Sequence, residues 1–115
     1  MRRLLALALT ACTPAASPEP AALSEARTLV ALSGPVLASA RPVCAALPPD
    51  RGEACTAALD ALAAVVATMA PLLEPCPGDP ADEDRQACEV DRLDRVRATL
   101  PELRQRVTAA AAVVR

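Results

Sequence analysis

No histidine, no lysine and no aromatic residue occurs among the 115 residues of this chain, and only three are glycine. Each absence removes a class of chemistry. Without histidine the chain lacks the usual general base near neutral pH and the commonest metal ligand. Without lysine it cannot form a Schiff base, and Ser17, Ser24, Ser33 and Ser39 have no neighbouring amine or imidazole to activate them. Without Phe, Tyr or Trp it has no stacking platform for bases or sugars and lacks the usual anchors of a ligand pocket. There is no C-x-x-C pair, which argues against a redox thiol couple and against the knuckles of a zinc site. These omissions point to a protein that is not an enzyme and carries no cofactor and no metal.

The amino terminus is where the sequence is most specific. Arg2 and Arg3 give a positive start, residues 4–9 read LLALAL, and Leu9-Thr10-Ala11-Cys12 closes the run with small residues and a cysteine. A charged start, an apolar stretch and a small-residue end are the layout of a secretory signal. The end of this one resembles the lipobox of bacterial lipoproteins. The resemblance covers residues 1–12 and implies that residues 1–11 are a signal peptide, removed on export. It further implies that the Cys12 thiol is diacylated and its new amino group acylated. Several acyl chains together hold a protein durably on a membrane, where one chain is marginal. The expected location is the cell envelope, on a bacterial membrane and facing the periplasm where an outer membrane exists. Plain secretion is the alternative.

Behind that signal the chain keeps ten Arg against fourteen acids. No basic excess attracts nucleic acid or an anionic lipid surface. Residues 13–22 read TPAASPEPAA, and 12–22 are expected to form a lipidated Pro/Ala-rich tether. Residues 23–115 then make one small domain. Its large apolar residues are twelve Leu, ten Val and Met69, a thin core that calls for covalent staples.

The domain reads as all-α, a small antiparallel bundle of three to four helices with no strand alternation. A first helix is expected over about 23–46, with Leu29, Leu32, Val36, Val43 and Leu47 as its inward stripe and interruptions at Gly34-Pro35 and Pro42. A second follows from an Asp50 cap with Glu53 three residues on. It carries Cys55, Leu59, Leu62, Val66, Met69 and Leu73 among many alanines, and should be the buried centre of the bundle. As a membrane span it is disfavoured by Asp60 and Pro71. A third, about 80–98, opens on Asp79-Pro80 and carries Ala87, Val90, Leu93, Val96 and Leu100. Thr99 and Glu102 around Pro101 suggest a restart, so 100–114 reads as a fourth segment with Leu103, Val107, Ala110 and Val114 inward. Asp91/Arg95 and Glu102/Arg106 fit i,i+4 pairs on an outer face.

With Cys12 set aside, Cys44, Cys55, Cys76 and Cys88 remain, and in an exported domain four cysteines mean two disulfides. Three pairings are possible. The second helix separates Cys55 from Cys76 by roughly 28 Å, at 1.5 Å per residue. Bridged Cα atoms must lie within about 7 Å. Cys44–Cys55 and Cys76–Cys88 are therefore expected, one at each end. The twin-cysteine CX9C pattern does not fit, because ten and eleven residues intervene and prolines break each interval. Asp79, Asp82, Glu83 and Asp84 invite a calcium reading, but an EF-hand loop starting at Asp79 would need Gly at 84 and Glu at 90 and finds Asp and Val.

Anchor, tether and stapled domain without a catalytic set lead to one expectation. The protein is a membrane-held interaction or structural module, touching another envelope protein or a second copy of itself, with no nucleic acid involved. The alternatives are a carrier of a small apolar ligand, or a phage-encoded envelope lipoprotein of the spanin or exclusion-factor kind.

Overall fold

The computed structural model describes residues 19–115. Cys12, the signal and most of the tether lie outside the described residues. Within them the chain forms three helices and no strand: α1 Ala21–Ala46, α2 Pro49–Leu72 and α3 Glu83–Val113. Each packs against both others around one core in which Leu59, Leu62, Met69, Val96 and Leu103 are fully buried.

α1 starts two residues ahead of Leu23 and runs unbroken, so the expected interruptions do not occur. Pro35 and Pro42 sit inside it, Pro71 inside α2 and Pro101 inside α3. A helical proline removes one N–H and frees the carbonyl four residues back. All four prolines lie on exposed faces, so water can reach the backbone they leave unpaired. The same reasoning replaces the expected break at 99–101: α3 passes through Pro101 as one helix of 31 residues, and no fourth segment forms.

α1 is also rotated from the expected face. Leu23, Ala26, Ser33, Ala40 and Cys44 are buried, whereas Leu32 stands 48% exposed, Val43 and Leu47 are exposed, and Leu29 and Val36 are half-buried. The bridge from Cys44 explains this. It must face α2, and it brings Ala40, Ser33 and Ala26, about one, three and five turns back, to the inside. Small side chains there let α1 lie close to the Leu-rich faces of its neighbours. The buried Ser33 hydroxyl is satisfied locally, its Oγ donating to the Leu29 carbonyl at 2.7 Å.

α2 buries Leu59, Leu62, Val65 and Met69, while Cys55 and Val66 are half-buried. Its alanine-covered flank faces outward, so it is one of three equal partners rather than a buried centre. The residue before the helix is Pro48, with Pro49 at the first helical position, and Asp50 lies in the first turn without capping it. α1 and α2 are both long and apolar enough to cross a membrane by length and composition, at mean hydropathies of 1.4 and 1.7. Both helices contribute to the shared core.

α3 opens later than expected. Asp82, not Asp79, is its cap, with Oδ1 accepting from the Asp84 N–H at 3.0 Å. Glu83 and Asp84 fill the first turn, where the helix dipole favours anions. Ala87 and Val90 turn outward, Val90 to 64% exposure. Val96, Leu100, Leu103, Val107 and Ala110 face the core, Leu93 half so. At the far end Val113, rather than Val114, packs inward.

Candidate functional site

The four domain cysteines mark two corners of the bundle. Cys44, near the end of α1, is bridged to Cys55, early in α2, with Cα atoms 5.4 Å apart. Cys76, in the loop after α2, is bridged to Cys88 in the second turn of α3, with Cα atoms 6.2 Å apart. Both spacings lie in the range a disulfide spans.

The first corner is held by close backbone approach. Leu47 and Pro48 alone separate α1 from α2. A Cβ placed on Gly52 would lie 3.0 Å from the Cys44 carbonyl oxygen, so glycine is what lets the turn of α2 approach the end of α1. Arg41 reaches Asp60 on α2 at 3.3 Å, both side chains largely solvated.

The second corner is held by charge. Glu89 accepts from the Cys76 backbone N–H at 2.8 Å and from Arg92 Nη2 at 2.6 Å. Arg92, only 12% exposed, donates its other Nη to the Leu72 carbonyl at 3.0 Å, giving a partner to the last carbonyl of α2. Arg27 on α1 donates to the next carbonyl, Leu73, at 2.9 Å and to Glu19 at 2.6 Å. Arg85 holds the Gly78 carbonyl at 2.6 Å, and Gly78 has φ +107°, a left-handed turn that glycine adopts without strain. The Arg92 guanidinium, and then the Cys76 N–H, hold the Glu89 carboxyl below its ordinary value.

Away from the corners, Arg104 on α3 clamps Glu25 on α1 with two donors, its Nη2 lying 2.6 Å from Oε1. The hydrogen bonds from Arg104 lower the Glu25 carboxyl, and the same contact raises the guanidinium. Asp91 and Arg95 pair at 2.9 Å as their spacing predicts. Glu102 and Arg106 stand 3.8 Å apart, and the buried Arg106 Nε has no hydrogen-bond partner. Asp79 stays outside α3, accepting from the Ala81 N–H at 2.9 Å.

Of the residues singled out in the sequence, the structure brings the four domain cysteines together in pairs, and Cys12 falls outside the described part. The arginines that close the end of α2 and clamp α1 were not singled out. Glu89 follows Cys88 directly, and Arg92 lies three residues on. An acid and a base within one turn of a loop-closing cysteine is the local signal that marks this network. The link from Arg104 to Glu25, 79 positions away, has no local signal. Among the described residues no group of three or more Cys, Asp or Glu is placed to hold a metal ion. The cysteines there are all bridged, so the arrangement supplies rigidity and a patterned surface. No family model matches the chain, and no curated protein or solved structure matches it.

Proposed function

We propose that this protein is a bacterial envelope lipoprotein, acylated at Cys12, whose domain is an antiparallel three-helix bundle that works by contact rather than catalysis. The observation that carries the reading is Leu9-Thr10-Ala11-Cys12 behind an apolar run, a few residues ahead of the start of α1 at Ala21. That interval reaches at most about 30 Å when extended. The domain is therefore held close to the membrane surface, and its bridges suit an oxidising compartment. The antiparallel order is supported by the ends that meet. Cys44 late in α1 joins Cys55 early in α2, and Arg92 early in α3 reaches Leu72 at the end of α2.

The test is partitioning and mass. Expressed in a bacterium, the full chain enters the detergent phase with the added mass of its acyl chains and without residues 1–11, whereas a Cys12→Ala chain does neither. A Cys12→Ala chain that stays membrane-bound at unchanged mass refutes the reading.

A further inference from the structure

The outer face of α3 carries a second pattern that the core does not use. Ala87, Val90, Asp94, Arg97, Pro101 and Arg104 follow one another at spacings of three and four in strict alternation. That spacing keeps the six on one flank of α3, as along a helix–helix seam, with charges and a proline at places where a coiled coil would carry apolar residues. It lies on a flank of α3 beside the core: these six residues are all exposed, Val90 to 64%, and Arg104 at its end also reaches Glu25 on α1. The charges along it are ordered, with acid in the first half and base in the second. Most other charged side chains of α3 are occupied, Glu89 by Arg92, Asp91 by Arg95, Arg104 by Glu25 and Glu102 by Arg106. Among the described residues, Asp94 and Arg97 at the middle of the seam have no ionic partner, although both are within reach of solvent.

A seam with acid before base complements its own reverse. We infer that α3 docks antiparallel on α3 of a second copy of this chain, through a two-fold axis near residues 95–96. In that register Asp94 of each copy meets Arg97 of the other, and Val90 of each meets Pro101 of the other. Ala87 falls level with Arg104, where a small residue leaves room for the arginine stem. A two-fold contact of this kind is closed, because the same patch serves both copies and no free edge remains to grow. The apolar content is small, so specificity comes from the charge pairs and the association is weak in solution. Held on one membrane, two copies meet at a far higher effective concentration. The inference deepens the reading of the domain as a contact module by naming its partner, and it does not depend on acylation of Cys12.

The experiment is sedimentation velocity on the full chain, wild type in nonionic detergent and a Cys12→Ser chain without it, over a range of concentration and salt. A reversible dimer that weakens with salt is expected in both. Asp94→Arg or Arg97→Asp alone sets like charges against each other at two symmetric places. Each should raise the dimer dissociation constant about 100-fold, or tenfold per lost pair. Mixing the two single variants restores opposite charges at both places, so a heterodimer of near wild-type affinity should form, and the double exchange on one chain should self-associate again. Circular dichroism shows whether each variant is folded. A chain that stays monomeric to millimolar concentration overturns the inference, and so does a dimer indifferent to Asp94→Arg, or a mixture of single variants that remains monomeric. A Cys12→Ala chain that stays membrane-bound at unchanged mass defeats the lipoprotein reading and leaves the dimer result standing.

Discussion

The two stapled corners close loops of nearly equal length, with sequence separations of 11 and 12, and are built in opposite ways. At the first, the chain turns in two residues, Cys44 is buried, and the backbone of α2 touches that of α1 through Gly52. At the second, a loop of ten residues is docked by Glu89, Arg92, Arg27 and Arg85. The same covalent device thus secures a sterically defined contact in one place and a polar network in the other. In the first case the bridge reinforces packing that tolerates no change of shape. In the second it reinforces hydrogen bonds that already bring loop and helix together.

The comparison breaks entirely if the bridges are dispensable. Replacing all four domain cysteines by serine should remove about 6 kcal/mol on the chain-entropy relation. That equals the whole stability of a small domain, so the variant should be largely unfolded near 37 °C by circular dichroism. A melting curve like that of wild type would show that Ala/Leu/Val packing suffices alone. Removing one bridge at a time sharpens the contrast. Cys44→Ser with Cys55→Ser should cost about 3 kcal/mol, the whole of the lost loop constraint, because no network of buried hydrogen bonds remains to hold that corner. Cys76→Ser with Cys88→Ser should cost about 2 kcal/mol, since the Glu89 and Arg92 hydrogen bonds remain to hold the loop. The reverse order in denaturant unfolding would place the main support in the bridge of the second corner and refute the division drawn above.

A smaller effect separates shape from charge. Gly52→Val should destabilise by about 2 kcal/mol, because its side chain meets a backbone oxygen that the adjacent bridge holds in place. Gly78→Ala should cost about 1 kcal/mol, through the φ of +107° rather than through crowding. Smallest is Glu89→Gln, about 0.5 kcal/mol, confined to the second corner. Its signature is pH dependence. The Glu89 carboxyl lies below its ordinary 4.5 in the folded chain, so its contribution is complete above that value. It fades as pH falls through the lowered folded value. Wild type should lose stability between those two points more steeply than Glu89→Gln.

The pairing of the cysteines could be read from spacing because a helix is a ruler, and α2 keeps the two ends apart. The inward face of α1 is not legible from side-chain size, because most of its buried positions are small. Leu32 and Val43 lie on the shoulder of the helix, and Cys44, fixed by its bridge, selects Ala26, Ser33 and Ala40 instead. The prolines misled for a related reason. Their penalty depends on whether the freed carbonyl is buried, and sequence alone does not say which side of α1 or α3 faces water. The network at the second corner depends on arginines that span 20 or more positions, and no period within one helix records such a distance.

The two bridges also set the mechanical character of the chain. Pulled from its ends, an oxidised molecule transmits force through the sulfur atoms and leaves residues 45–54 and 77–87 slack. Its fully stretched length is therefore shorter than that of the reduced chain by about 70 Å, at roughly 3.4 Å per residue. A single molecule held between bead and surface should lengthen by that amount in two nearly equal steps when a thiol reductant is added. Each step reports the opening of one corner, which makes extension a direct count of the staples that survive.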